Sequence, residues 1–448
     1  MSHAAPSPLV AQRASALLGQ VRVPGDKSIS HRALMFGALA TGRTRVTGLL
    51  EAQDIMNTAG VLRALGCPIE KVDDAWEVLG RGVGGLLEPA DHLDFGNAGT
   101  SVRLMMGVIA GHDMTVRLTG DASLSRRPMG RVLTPLLRMG LQVLDKDRQT
   151  LPLTIRGTPE LLPIEYQLPV PSAQIKSAVL IAGLHAAGET TVIEPEATRD
   201  HTERMLGHFG AQLTATKRQG LRAVTVKGDA ELVGQDVHVP GDPSSAAFLA
   251  AAALIVPGSD ITIQGVLINP TRTGFYATLR EMGADIAFLN ERSDGGEPVA
   301  DIRVRHSRLA GVIVPAARAP SMIDEYPMLA CLAAYADGET RMEGLSELKV
   351  KESDRLAATA EGLLANGVSA KVEGDTLIVG GGGESVRGGG TVKTHLDHRI
   401  AMAFLVLGLG TDRPAAVDDA SMIATSFPEF RPIMEGLGAR FTHSRDGQ

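Results

Sequence analysis

One short pattern returns six times along the chain and limits what it can fold into. An apolar helical stretch runs into a glycine and then directly into a strand-like stretch. It appears as LRALGCPI around Gly66, LLRMGLQV around Gly140 and LGHFGAQL around Gly210. It returns as LREMGADI around Gly283, LLANGVSA around Gly367 and MEGLGARF around Gly438. The intervals are 74, 70, 73, 84 and 71 residues. A glycine that stops a helix in the left-handed region and hands over to a strand marks an αβ junction. Six such junctions at near-even spacing predict six α/β units, each long enough for two helices and several strands and too long for the usual solenoid repeat.

A longer repeat divides the chain in two. VPGDKSIS begins at Val23 and VPGDPSSAAF at Val239. Each is a strand running into a Gly-Asp turn and then a capped helix. The economical organisation is two lobes of three units each. GGGGESVRGGG at 380–390 reads as a hairpin or surface loop, since no helix start with Lys-Ser/Thr follows it as phosphate binding would require. The apolar run from Ala246 to Pro257 is too short for a membrane span and reads as a buried helix.

The chemistry must come from charged turns. There is no GxxxxGK[ST], no HExxH and no GxSxG with triad partners. With only Cys67 and Cys331, the chain has neither a disulfide framework nor a cysteine-rich metal site. His395 and His398 in THLDHR have nothing nearby to complete a metal site. The net charge of −7 and 3 % aromatic content argue against coating nucleic acid, yet an acidic surface is compatible with a basic pocket. Cations recur in turns of small residues. Lys27, Ser28 and Arg32 lie in PGDKSISHR, Asn97, Gly99 and Arg103 in FGNAGTSVR, and Arg126, Arg127 and Arg131 in SLSRRPMGR. Ser172, Ala173, Gln174 and Lys176 lie in PSAQIKSA, Arg199 in ATRDHTE, and Arg399 in LDHRIAM. Carboxylates join them as Asp324 in SMIDEYP and Glu352 in LKVKESDRL, where Lys351 and Arg355 at i,i+4 are expected on one helix face. Backbone N–H groups at helix starts, hydroxyls and cations favour anions. The set predicts transfer chemistry on phosphorylated or carboxylated small molecules, driven by charge stabilisation and acid–base catalysis, with no cofactor and no metal.

These motifs, with TSFPEF near the C-terminal end, occur in one order, and over residues 20–440 the chain resembles the 5-enolpyruvylshikimate-3-phosphate synthase family, in the flavour of the class II bacterial enzymes. The resemblance implies an inverse α/β barrel in two lobes, built from six βαβαββ-like units with helices inside and sheets outside, and an active site in the cleft between the lobes. It implies that the chain crosses between lobes twice, so that residues 1–22 and 240–448 form one lobe and 23–239 the other. It implies transfer of the enolpyruvyl group of phosphoenolpyruvate to the 5-hydroxyl of shikimate 3-phosphate. Lys27, Ser28, Arg32, Ser172, Ala173, Gln174, Arg199, Asp324 and Lys351 are then expected around shikimate 3-phosphate. Lys27, Asn97, Gly99, Gln174, Arg127, Arg355 and Arg399 are expected around phosphoenolpyruvate. Asp324 would accept the 5-hydroxyl proton, Glu352 would move a proton to and from the enol methylene, and Lys27 would assist the departing phosphate. Glyphosate is the expected inhibitor, and a methyl group at Gly99 is expected to crowd it. No nucleic acid or membrane partner is expected, and the family implies a cytoplasmic monomer.

Two positions depart from relatives. Thr425-Ser426 stand before Phe427-Pro428 where many carry a lysine, and Leu104 stands where many class I enzymes have proline. The alternatives are a UDP-N-acetylglucosamine enolpyruvyl transferase, which usually carries a loop cysteine absent from the comparable region 110–131, and a non-catalytic anion-binding homologue, expected to have lost Asp324 or Glu352.

Overall fold

The computed structural model describes residues 6–443 apart from 147, 295 and 384. All six marker glycines have positive φ, from +78° at Gly367 to +120° at Gly140. That region is strained for residues with a Cβ, which is why glycine ends the helix there.

The chain divides into two compact units. One comprises Met1–Pro24, Pro240–Ser293 and Pro298–Gln448; the other comprises Gly25–Val239 and Asp294–Glu297. The short piece Asp294–Glu297 thus groups with the middle of the chain, away from its sequence neighbours, whereas the sequence had placed it with 240–448. Glu297 is the reason: its Oε1 is 2.8 Å from His201 Nδ1, and both side chains are buried.

Each unit holds three sheets. In the 25–239 unit, Leu93–Asp94 pairs parallel with Thr115–Thr119, which pairs antiparallel with Leu153–Arg156. Gln142–Val143 then closes the edge, antiparallel to Leu153–Arg156. Glu165–Gln167, Glu189–Glu194, Leu221–Lys227 and Leu213–Arg218 repeat this order. The intervening helices make each a βαβαββ unit.

The helices are of two kinds. Lys27–Leu39, Gly99–Ala110 and Ala173–Gly183 in one unit are buried on nearly every side. So are Pro243–Ile255, Tyr326–Ala333 and His398–Leu407 in the other. A helix apolar all round belongs in a core. The others, such as Gly130–Met139 and Phe430–Leu437, bury one face only. Helices therefore lie inside and sheets outside.

The inner helices run parallel. Gln174 Nε2 donates to Thr100 Oγ1 (3.1 Å) at one end of a pair, and the rings of His112 and His185 meet at 4.9 Å at the other. In the other unit, Arg399 Nη1 donates to the Asp324 carbonyl (3.3 Å) at the N-terminal ends, and Tyr335 Oη donates to the Leu407 carbonyl (2.6 Å) at the C-terminal ends. N-terminal ends are thereby gathered at one end of each unit.

Strands are exchanged at both VPGD turns. Leu18–Arg22 precedes the helix Lys27–Leu39 but pairs with Asp260–Leu267. Asp236–His238 precedes Pro243–Ile255 but pairs with Ala40–Thr47.

Candidate active site

In the 25–239 unit most candidate residues sit at the starts of the three inner helices, while Arg127 follows the short turn Leu124–Arg126 and Arg199 precedes an outer helix. Asp26 caps Lys27–Leu39 by accepting from the Ile29 N–H (2.8 Å), and Lys27 Nζ forms an ion pair with Asp54 Oδ2. Arg32 is 3 % exposed; its Nε donates to Thr202 Oγ1 (2.8 Å), Nη2 to Ser177 Oγ (2.9 Å) and Nη1 to the Ser28 carbonyl (3.0 Å). Ser172 caps Ala173–Gly183. Asn97 Nδ2 donates to Asp121 Oδ2 (2.7 Å). Arg103 donates to the Gly99 carbonyl (3.2 Å), the Pro128 carbonyl (3.1 Å) and Gln174 Oε1 (3.3 Å), so it fixes the amide that the sequence had singled out. Arg199 is half-buried, in the turn leading into the helix His201–His208.

Gly99 opens its helix beneath Arg127. A Cβ added there would lie 2.4 Å from Arg127 Nη1 and 2.6 Å from Cζ. The expectation that a methyl at this position crowds an inhibitor therefore needs an intermediate step: the methyl meets the arginine first. Arg127 is 9 % exposed, and its Nε and Nη1 are buried with no hydrogen-bond partner among the described residues. A buried cation with open donors is costly unless an anion completes it.

Lys176, read from sequence with the anion-binding turns, belongs elsewhere. Its fully buried Nζ lies 3.0 Å from Glu194 and 2.8 Å from Glu203, a closed internal ion cluster. Of metal-ligating groupings, the described residues offer Asp200, His201 and Glu297. Arg204 occupies it, with Nε 2.8 Å from Asp200 and 3.8 Å from Glu297.

The other unit supplies carboxylates around one arginine. Arg355 is 1 % exposed. Its Nε donates to Asp397 Oδ2 (2.8 Å), Nη1 to Asp324 Oδ1 (3.2 Å) and Nη2 to Glu352 Oε2 (2.5 Å). Lys351 Nζ lies 3.5 Å from the same Asp324 oxygen. Burial opposes the charge on Arg355, but Asp397, Glu352 and Asp324 outweigh it and raise its pKa. For Asp397 burial pushes upward, yet Arg355 holds the carboxyl below the usual range. Asp397 also caps His398–Leu407 through the Arg399 N–H (2.9 Å).

Sequence reasoning missed Asp397, whose signal was a buried arginine in need of a partner. It also placed Lys351 and Arg355 on one helix face, and the structure corrects this. Asp354 caps the helix by accepting from the Ala357 N–H (3.1 Å), so the helix is Arg355–Ala365 and residues 351–354 form a bend before it. The bend lets Lys351 and Arg355 both reach Asp324. Thr425, at the position of the missing lysine, donates its hydroxyl to the Met422 carbonyl (2.7 Å) within its own turn.

Neither cysteine is a nucleophile. Burial pushes the Cys67 thiol up to about 11, with Arg81 pulling weakly the other way, and pushes Cys331 well above its ordinary value. Both are free and buried.

Residues 11–434 match the family of EPSP synthase (3-phosphoshikimate 1-carboxyvinyltransferase). A 3-phosphoshikimate 1-carboxyvinyltransferase of Chelativorans sp. (strain BNC1) is 61 % identical over 443 residues, 98 % of this chain and 99 % of that protein. One from Brucella canis is 58 % identical over 448 residues, 99 % of each. The solved EPSP synthase of Acinetobacter baumannii superposes with a TM-score of 0.86 at 43 % identity, over 98 % of this chain and all of that one. With its six βαβαββ units, its arginine-gathered carboxylates and near full-length matches of this strength, the chain belongs to the EPSP synthase family.

Proposed function

We propose that this chain transfers the enolpyruvyl group of phosphoenolpyruvate to the 5-hydroxyl of shikimate 3-phosphate, releasing phosphate, and that residues of both units act on the one pair of substrates. The observation that carries this reading is the gathering of Asp324 and Glu352 on the Arg355 fork. Addition–elimination needs one carboxylate to take the hydroxyl proton and another to protonate and later deprotonate the methylene carbon. A shared guanidinium holds the two at a fixed separation. Asp324 takes the proton as the 5-oxygen bonds to C2 of the enolpyruvyl group, and Glu352 delivers a proton to the methylene. In the second half Glu352 takes a proton back from the methyl carbon as the C2–phosphate oxygen bond breaks, and Lys27 assists proton transfer to the departing phosphate, which leaves with the equivalent of the proton Asp324 took.

The substrates carry phosphate and carboxylate groups, which suits the remaining residues. Ser28, Arg32, Ser172, Ala173, Gln174, Arg199 and Lys351 hold shikimate 3-phosphate; Asn97, Gly99, Arg127, Gln174, Arg355 and Arg399 hold phosphoenolpyruvate. The open donors of Arg127 are what a bound oxyanion would fill. Glyphosate inhibition, a monomeric state and a cytoplasmic location belong to the same proposal.

The test is phosphate release that requires both substrates. Asp324→Asn and Glu352→Gln are each expected to lower kcat by about 10²- to 10⁴-fold, the usual weight of a positioned acid or base. Near-wild-type rates in either variant would remove that residue from the mechanism.

A further inference from the structure

We propose that Glu325 is a positioning residue for phosphoenolpyruvate, acting through Arg399, and that the second VPGD turn anchors it. The inference rests on the reading of Arg399 given above. Glu325 immediately follows Asp324 and precedes the helix Tyr326–Ala333, yet its carboxylate does not cap that helix. It is 4 % exposed. Its Oε1 accepts a hydrogen bond from Ser244 Oγ and lies 3.8 Å from Arg399 Nη1; its Oε2 is buried with no hydrogen-bond partner among the described residues. A carboxylate so poorly solvated persists only with a countercharge, and Arg399 supplies one.

The anchor continues inward. Arg272 Nη2 donates to Ser244 Oγ (3.0 Å) and to Asp242 Oδ1 (3.2 Å). Asp242 caps Pro243–Ile255 through the Ser244 N–H (2.9 Å). The result is a line of alternating charge, Asp242, Arg272, Glu325 and Arg399, with the Ser244 hydroxyl between the second and third. Arg399 is gripped twice by one segment: Nη1 donates to the Asp324 carbonyl (3.3 Å) and faces the Glu325 carboxylate. The neighbouring Tyr276 hydroxyl donates to the Pro243 carbonyl (2.9 Å), so it does not compete for Glu325.

The repeat explains the origin of the arrangement. Aligning the two VPGD copies sets Ser244 opposite Ser28 and Pro243 opposite Lys27. The first copy keeps a cation in its turn, paired with Asp54. The second has proline at that position, and Arg272 brings a charge from outside the turn. One copy has become a substrate contact and the other a support for the arginine beside the base.

Steady-state kinetics of Glu325→Gln, Glu325→Asp, Ser244→Ala and Arg399→Ala on the full chain test this, with melting temperatures as a control. Glu325→Gln keeps the shape and a hydroxyl acceptor but removes the charge. It is expected to raise KM for phosphoenolpyruvate by about tenfold, equivalent to a freed arginine losing about one decade of binding. KM for shikimate 3-phosphate should stay within about twofold. Glu325→Asp, which keeps the charge, should lose less, and Ser244→Ala should move the same KM in the same direction. If Arg399→Ala leaves KM for phosphoenolpyruvate unchanged, the reading of Arg399 is wrong. If Arg399→Ala raises it and Glu325→Gln does not, the role of Glu325 is overturned. Equal losses in both KM values, or equal losses for Gln and Asp, overturn it too, since a merely structural carboxylate would behave that way. Should Glu325→Gln fail to fold, Ser244→Ala and Glu325→Asp carry the same comparison.

Discussion

Gly99 shows how little space separates a working from a failing site. Its missing side chain lets Arg127 lie against the helix start. In Gly99→Ala the guanidinium must move, because its Cζ cannot stay 2.6 Å from a methyl carbon. The expected outcome is a raised KM for phosphoenolpyruvate together with weaker glyphosate inhibition, since both would use the displaced cation. Unchanged inhibition constants would count against the displacement. The glycine and the arginine were both readable as candidates, but their contact was not. It joins residues 28 positions apart, across a helix, a strand and a short turn whose combined path no local pattern dictates. The contacts of Asp397 and Glu325 were hidden for the same reason. Their partners, Arg355 and Ser244, lie 42 and 81 residues away, across helix starts that only tertiary packing brings together.

At the scale of the element, the inner helices carry opposite chemistry at their two ends. Their N-terminal ends gather the candidate site, while in the 25–239 unit two C-terminal ends bring His112 and His185 ring to ring. His112 Nδ1 donates to the Val108 carbonyl (2.9 Å), and neither Nε2 has a hydrogen-bond partner among the described residues. Burial, and to a lesser degree His112, lowers the His185 pKa to about 3, and burial lowers that of His112. In the unfolded chain an imidazole takes up its proton near pH 6.5. As pH falls below that value the unfolded state gains a proton that the folded one refuses, so stability declines. The decline is at most about 1.4 kcal/mol per pH unit per histidine, and for His185 it ends near pH 3. Urea midpoints at pH 7.5 and pH 5 should therefore differ less for His185→Gln than for the parent. Parallel dependence in the two proteins would exclude this pair as a source of acid sensitivity. The helix stops were legible, since each of the six glycines adopts the backbone its position demanded. The start of Arg355–Ala365 was not, because Lys351 and Arg355 satisfy helical spacing equally well inside or outside the helix.

For the whole molecule, six repeats and two VPGD turns prefigured the architecture, and the family resemblance placed 1–22 with 240–448, but the individual partners of the strands at those turns left no mark in sequence. Each strand reads the same whichever sheet takes it. Ligand binding should register globally: shikimate 3-phosphate at a hundred times its Kd adds about 2.7 kcal/mol to the stability of the state that binds it. At roughly 2–4 °C per kcal/mol for units of this size, the melting temperature should rise by about 5–10 °C. No rise would speak against the anion-binding reading.

The exchange also has a consequence for biosynthesis. Leu9–Gln12 is made about 400 residues before its partners, since it pairs on one side with Ala415–Val417 and on the other with Arg440–His443. At ordinary elongation rates of ~5–20 residues per second it waits about 20–80 s for those partners. The Lys27–Leu39 helix and its neighbours need nothing beyond Glu297, so the 25–239 unit can assemble during that interval. A strand made before the 25–239 unit is then seated after it. Until Ala415–Val417 and Arg440–His443 are made it is an unpaired β-segment, the sort of edge that chaperones hold and stalled chains aggregate through.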